Sequence, residues 1–273
     1  MRLAFSSCPN DTFMFHGIVS GAVPLPGVDL SVVMEDIEAL NERALGPRPA
    51  RAHISKLSVG VLPRAAADYT VLAAGAALGR GCGPLVVARA GGPIETLSDL
   101  AGARVAIPGA LTTANLLLRI FAPPTLERVP MRFDQIMPAV AGGQVDAGLI
   151  IHESRFTYPD HGLACVVDLG EAWEGDTGLP LPLGVIAVDR TVAPAAAADI
   201  ETALAASVAY ARADPSRSRA YVRAHAQEMT DDVCDRHIAL YVNEFSVDLG
   251  AQGREAIDQL LRRADPDAPS PWR

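Results

Sequence analysis

The sequence predicts an α/β protein built from two lobes. Three observations carry this expectation. Short β-branched or apolar runs alternate with helical stretches along most of the chain, the pattern of strand–helix units. Two glycine- and proline-rich strand entries, AALGRGCGPLVVARAGG at 76–92 and GDTGLPLPLGVIAVDR at 175–190, bracket a middle segment of the same kind. A composition of 49% hydrophobic and 20% charged residues in 273 suffices for one large core or two small ones.

In chain order, strands are expected at 3–6, 28–33, 53–58, 69–73, 85–88, 104–107, 128–133, 147–151, 165–169 and 185–188, in largely parallel sheets. The pattern then turns helical. Two helices are expected within 192–227, broken at Asp214 and Pro215 because proline cannot continue a helix. Further helices are expected over 231–241 and 253–264, and the proline-rich tail DPDAPSPWR is expected to be extended. If the two glycine-rich entries are chain crossings, the lobes are 1–88 with 187–273, and 89–186. This arrangement, with LSDLAGARVAIPGA and then AVAGGQVDAGLI in the middle segment, resembles the type II periplasmic-binding-protein fold. That resemblance implies a ligand cleft between the lobes and leaves the function open.

A net charge of −9 leaves no basic stripe for nucleic acid. Cys8, Cys82, Cys165 and Cys234 are widely spaced with no CxxC pair, so they are read as reduced and at least partly buried, not as metal ligands. The opening MRLAFSSCPNDTF has too short an apolar stretch for a secretory leader, and no run reaches membrane-spanning length. A cytoplasmic protein with no membrane insertion is expected.

Three strand-to-helix junctions are equipped for an anion. In FSSCPNDTFMFHGI, Ser6, Ser7, Asn10, Asp11 and Thr12 form a polar loop, with Asp11 or Thr12 as a helix cap. In HISKLSVGVLPRAAA, alternation puts Lys56 and Ser58 on one strand face and Leu57 on the other. A lysine inside an apolar run needs a carboxylate, either from a ligand or from Asp36 or Glu38. In AIPGALTTANLLLRIF, a strand ends before Pro108 and a helix starts near Thr113, where peptide N–H groups and two threonine hydroxyls suit a carboxylate.

His152 follows the apolar run GLII, at the C-terminal end of an expected strand, where open α/β sheets bind ligands. An imidazole there can act as a base near neutral pH, or it can simply be hydrogen-bonded in a loop. Glu153, Arg155 and Asp11 are further candidates for moving protons. The histidines show no metal-ligand spacing, and GxGxxG, GxxxxGK[ST] and GxSxG are absent. The glycine-rich GRGCGP precedes a strand, which argues against a phosphate loop.

SSCPNDTFMFHG, EDIEALNERAL, ISKLS, ALGRGCGPLVVAR, IPGALTTANLLL, GLIIHESRFTYPDHGL, VVDLGEAWEGDTGLPLPLG and RAHAQEM with YVNEFSVDLG together resemble the 1,4-dihydroxy-6-naphthoate synthase family, the cyclic dehypoxanthine futalosine lyases of the futalosine route to menaquinone. The likeness runs from Ser6 to Ala256, with Ser7 where the family usually has proline. It implies a binding-protein fold turned into an enzyme that releases a three-carbon fragment, expected to be dihydroxyacetone, from a small carboxylate substrate without a cofactor or metal. It also implies His152 as proton acceptor, and a substrate site lined by Lys56, Leu57 through its backbone, Ser58, Thr113, Ala114 and Asn41. Two other readings compete. One is a receptor for a small carboxylate, opposed by the lack of a leader and by the IIHESR segment. The other is a chorismate dehydratase on the same fold, from which the PNDTF, SKLS and HESR blocks point away.

Overall fold

The computed structural model describes residues 1–226 and 230–272. Gln227, the end of the expected helical pair, lies outside the described residues, as do Glu228 and Met229 of the RAHAQEM block and Arg273 of the tail. Contacts divide the chain into two units, 1–79 with 182–273, and 80–181. The expected limits of 89 and 186 differ from these because strand pairing, not glycine content, decides membership. Residues 85–89 pair within the second sheet, and 184–188 pair within the first.

The first unit begins with β1 (Arg2–Phe5), α1 (Pro9–Val19), β2 (Ser31–Met34), α2 (Ile37–Leu45), β3 (Ile54–Ser58), α3 (Leu62–Ala65), β4 (Tyr69–Val71) and β5 (Ala77–Gly79). The second unit contains β6 (Leu85–Arg89), β7 (Arg104–Ile107), α4 (Thr113–Phe121), β8 (Glu127–Pro130), α5 (Phe133–Ala141), β9 (Ala147–Ile150), α6 (Ser154–Thr157), β10 (Leu163–Asp168) and α7 (Leu169–Thr177). The chain returns to the first unit through β11 (Leu181–Asp189), α8 (Pro194–Ala213), α9 (Ser216–His225), α10 (Asp231–Tyr241), α11 (Glu244–Val247) and α12 (Gly250–Ala264). The break at Asp214 and Pro215 falls where expected. The tail's Pro271 carbonyl accepts from the Val71 N–H (2.9 Å) and the Thr70 hydroxyl (3.2 Å), so the extended end is tied to β4.

The first sheet runs β2-β1-β3-β11-β4, with β5 also on β11; the second runs β10-β6-β9-β7-β8. Both are mixed, which corrects the expectation of largely parallel sheets. β1 is parallel to β2 and β3, and β7 is parallel to β8 and β9. β11 is antiparallel to β3 and β4, and β6 is antiparallel to β9 and β10. Apolar patterning does not distinguish strand direction, and the long return strand β11 reverses direction inside an otherwise parallel-type sheet. The parallel groups have a functional consequence: loops after β1 and β3 share one sheet end, and loops after β7 and β9 share another.

Each sheet is closed by its own core. Leu3, Phe5, Phe15, Ile54, Ile186 and Val188 belong to one cluster in the first unit, where the Phe5 and Phe15 rings stack at 4.5 Å. Val87, Ala106, Ile136, Val140 and Ile150 belong to the core of the second. Each large side chain buried this way contributes about 1.5–3 kcal/mol. Helix starts are set by short polar side chains: Asp36 accepts from Glu38 N and Ala39 N, and Asp168 accepts from Gly170 N and Glu171 N. Helix α1 departs from expectation. Pro9 occupies its first turn and Cys8 its cap position without a side-chain bond, so Asp11 and Thr12 lie inside the helix, not at its cap.

Cys8, Cys82 and Cys234 are buried, whereas Cys165 is exposed; edge strand β10 turns it outward. Of the GRGCGP glycines, Gly83 has a packing role. A Cβ on Gly83 would stand 2.2 Å from the Gly170 nitrogen. Gly83→Ala is therefore expected to cost about 1–3 kcal/mol, measured by urea unfolding, because the obstacle is backbone and cannot rotate away. Among the described residues no helix is long and apolar enough to cross a membrane.

Candidate active site

In the first unit, the ends of β1 and β3 bring together residues distant in sequence. Lys56 is 4% exposed and its Nζ lies 2.9 Å from Asp11 Oδ1. This replaces both internal partners expected from sequence: Asp36 is the cap of α2, and the carboxylate that meets Lys56 comes from the first turn of α1. Asp11 also accepts from the Ser6 hydroxyl (2.7 Å), the Ser6 N–H (3.2 Å) and the Asn10 amide (2.9 Å). The polar loop after β1 thus holds one buried carboxylate in place. Beyond the ion pair, Lys56 Nζ has no hydrogen-bond acceptor among the described residues. Gly184 of β11 makes room for the lysine stem, since a Cβ there would lie 2.9 Å from Lys56 Cε.

Ser58 ends β3. Asn41, fully buried on α2, donates to the Ser58 hydroxyl oxygen (2.9 Å) and accepts from the Ser58 N–H (2.9 Å). Both ends of the Asn41 amide are occupied in this way, so the residue acts on its surroundings by fixing Ser58. Leu57 is fully buried like the rest of β3, and alternation along the strand sets it on the face opposite Lys56 and Ser58.

In the second unit, β7 and β9 are adjacent and parallel, with Val105 beside Ala147 and Ala106 beside Gly148. Their following loops therefore leave the same sheet end, and these loops carry Thr113 and His152. Thr112 caps α4: its oxygen accepts from Asn115 N (3.2 Å) and its hydroxyl donates to the Gly109 carbonyl (3.0 Å). Thr113 and Ala114, both 3% exposed, are the first two residues of that helix, at the end where the helix dipole is positive. This is the arrangement that favours anions at helix starts.

His152 stands two residues past β9 and has φ of 58°, the only positive φ outside glycine among the described residues. The left-handed region costs an ordinary L-residue about 1–2 kcal/mol, and such strain concentrates at functional sites. The imidazole is half-buried and packs edge-on against Phe133, with ring centroids 5.2 Å apart. Phe133 begins α5, a partner that the 152–159 segment gives no hint of.

Two charged neighbours of His152 behave differently from each other. Arg155 donates to Asp168 Oδ2 (2.6 Å) and to the Gly83 carbonyl (2.6 Å), which ties the loop after β9 to the start of α7 and makes Arg155 an anchor. Burial pushes the Glu153 carboxyl above its ordinary range, and nearby Asp134 adds in the same direction. The sign for stability follows: a carboxyl whose folded pKa is raised favours the fold at low pH and loses that contribution as pH rises through the folded value. Glu153→Gln is thus expected to raise the melting temperature at pH 7 relative to the parent, with the gain shrinking as pH falls through the raised folded value and gone once pH is below the ordinary 4.5. Melts at pH 7 and pH 4 check this. Among the described residues no group of three His, Cys, Asp or Glu side chains is arranged to hold a metal ion.

The residues expected from sequence are His152, Lys56, Leu57, Ser58, Asn41, Thr113 and Ala114. The structure gathers Lys56, Ser58 and Asn41 in one unit, and Thr113, Ala114 and His152 at one sheet end of the other. It adds Asp11 as the partner of Lys56, Phe133 as the packing surface of His152, and Gly184 and Gly83 as clearances. A proline immediately after Cys8 is a sequence signal that α1 starts early and carries Asp11 inward; the other additions are contacts across strands with no local signal.

Comparison with known proteins fits this geometry. The family model described as "Menaquinone biosynthesis" matches residues 1–266. A 1,4-dihydroxy-6-naphthoate synthase of Thermus thermophilus is 48% identical over 99% of this chain and 97% of its own length. One of Streptomyces coelicolor is 47% identical over 97% and 92%. Among solved structures, an Archaeoglobus fulgidus protein has TM-score 0.89 at 34% identity, covering 97% of this chain and 96% of that one. A Candida albicans protein described as having the generic periplasmic binding protein fold has TM-score 0.70 at 12% identity, over 99% and 91%. The last likeness speaks to fold alone, and it is the fold class expected from the sequence.

Proposed function

The chain belongs to the menaquinone biosynthesis family and is an enzyme of that route, and on this premise we propose that it forms 1,4-dihydroxy-6-naphthoate from cyclic dehypoxanthine futalosine in the cytoplasm, releasing dihydroxyacetone. The observation that carries the reading is the placement of His152, in a left-handed conformation, and the start of α4 at the ends of adjacent parallel strands. A base and an anion-binding helix start at one sheet end suit a substrate that bears a carboxylate and must lose a proton.

In this proposal Thr113 and Ala114 hold the substrate carboxylate through helix-start N–H groups and a threonine hydroxyl. Lys56 is already balanced by Asp11, so it serves as a hydrogen-bond donor to a neutral substrate oxygen more than as a free charge. Ser58 and the Leu57 backbone contact the substrate beside it, and Asn41 fixes Ser58. His152 removes a proton from a substrate hydroxyl or activated carbon. The C–C bond then breaks in retro-aldol fashion, the three-carbon unit leaves, and the ring becomes aromatic. Aromatisation supplies the driving force, so the proposal includes no cofactor. A positioned base of this kind is worth ~10²–10⁴ in rate.

The test is turnover of cyclic dehypoxanthine futalosine by the purified protein, followed by product absorbance and mass, with chorismate as a parallel substrate. Formation of the naphthoate with chorismate unchanged supports the reading. Binding without turnover would make the protein a receptor, and rapid chorismate dehydration would replace the proposed substrate.

A further inference from the structure

A cavity of about 400 Å³ lies in the first unit among α1, α8, α9 and α10. None of the residues assigned to chemistry above lines it. Its inner wall is apolar: Phe13, Val222, Cys234 and Val242 all belong to one buried cluster. Its mouth is charged, and the charges do not cancel. Arg219 pairs with Asp231 (3.7 Å) and Asp235 (3.4 Å), and Arg223 also pairs with Asp231. Arg212, exposed in the last turn of α8, is the third arginine of the lining, and no carboxylate among the described residues pairs with it.

Among the described residues that line the hollow, three arginines stand with two aspartates, in a protein whose overall charge is −9. The surplus of one cation is local and set against the general field of the molecule. We propose that this cavity binds an amphipathic monocarboxylate, with its apolar body against Phe13, Val222 and Val242 and its carboxylate on Arg212. An apolar pocket with a few polar groups at its edge is the usual design of a small-molecule site, and guanidinium suits a carboxylate because it can donate two parallel N–H bonds. The site has a direct mechanical link to the Lys56 cluster. Phe13 and Asp11 are two residues apart on α1, so a ligand that displaces Phe13 bears on the helix turn that holds the buried carboxylate. The inference does not depend on the lyase reading.

The experiment is calorimetric titration of the full chain with decanoate, against decan-1-ol and decylamine, for the parent, Arg212→Gln and Ala239→Trp. Arg212 and Ala239 are both exposed, so neither change disturbs the core, and Ala239→Trp obstructs the mouth from α10. Expected are one decanoate site in the parent, affinity at least about tenfold weaker in Arg212→Gln, loss of binding in Ala239→Trp, and weaker binding of decylamine than of decanoate. Equal affinity for decanol and decanoate would remove the carboxylate from the proposal and overturn it. So would decanoate binding that both variants leave unchanged, since the probe would then sit elsewhere, or no binding to the parent at all.

Discussion

His152→Ala is expected to lower turnover by about 10²–10⁴ while leaving substrate affinity within a few fold. The expectation rests on the imidazole being the proton acceptor and not a substrate anchor, and single-turnover kinetics beside equilibrium binding separate those roles. The backbone complicates a simple truncation. At φ of 58° alanine keeps the left-handed penalty, whereas glycine removes it and asparagine tolerates it. His152→Gly and His152→Asn are therefore expected to match or exceed His152→Ala in stability while remaining equally inactive. Three inactive variants of differing stability would tie the loss to the imidazole. Activity recovered in the glycine or asparagine variant would instead mean that only the loop's shape matters, and near-normal turnover in all three would move the proton transfer to another group, with Glu153 the adjacent one.

Asp11→Ala is expected to destabilise the fold by about 3–5 kcal/mol, the usual cost of removing one member of a buried ion pair. Asp11 and Lys56 side chains are 1% and 6% exposed, so water does not replace the lost partner. Asp11 also accepts from Ser6 and Asn10, so those donors are stranded as well. The double variant Asp11→Leu with Lys56→Met is expected to recover much of the loss, because an apolar pair of suitable volume avoids the desolvation cost that the ion pair must overcome. Denaturant unfolding of both singles and the double closes a cycle whose coupling term measures the pair itself. Recovery of stability without recovery of activity would mark Lys56 as retained for the substrate. A loss below about 1 kcal/mol for Asp11→Ala, the range of exposed pairs, would mean that the pair is solvated and that Lys56 is free to meet a full charge.

Much of the architecture was legible in the sequence. The alternation of short apolar runs with helical stretches gave the fold class, and 104–107 and 231–241 are matched at both ends by β7 and α10. Other boundaries differ, at strand starts such as β2 and β11 and at strand-to-helix junctions. Leu169 and Phe133 read as strand ends but open α7 and α5, since an apolar residue there serves the core equally well in either conformation. Local chemistry was legible too: alternation set Lys56 and Ser58 against Leu57, and the Thr112–Thr113 pair marked a helix start.

By itself the sequence determined the kinds of element, their order, and which residue types were available for chemistry, because propensity, patterning and capping act over a few neighbours. Strand direction, the choice of Asp11 over Asp36 as the partner of Lys56, and the packing of Phe133 on His152 were decided only by the tertiary structure. The physical reason is range. A buried lysine demands a carboxylate wherever it sits, but which carboxylate answers depends on the strand order that places the loop after β1 beside β3. That order is settled by the whole core at once.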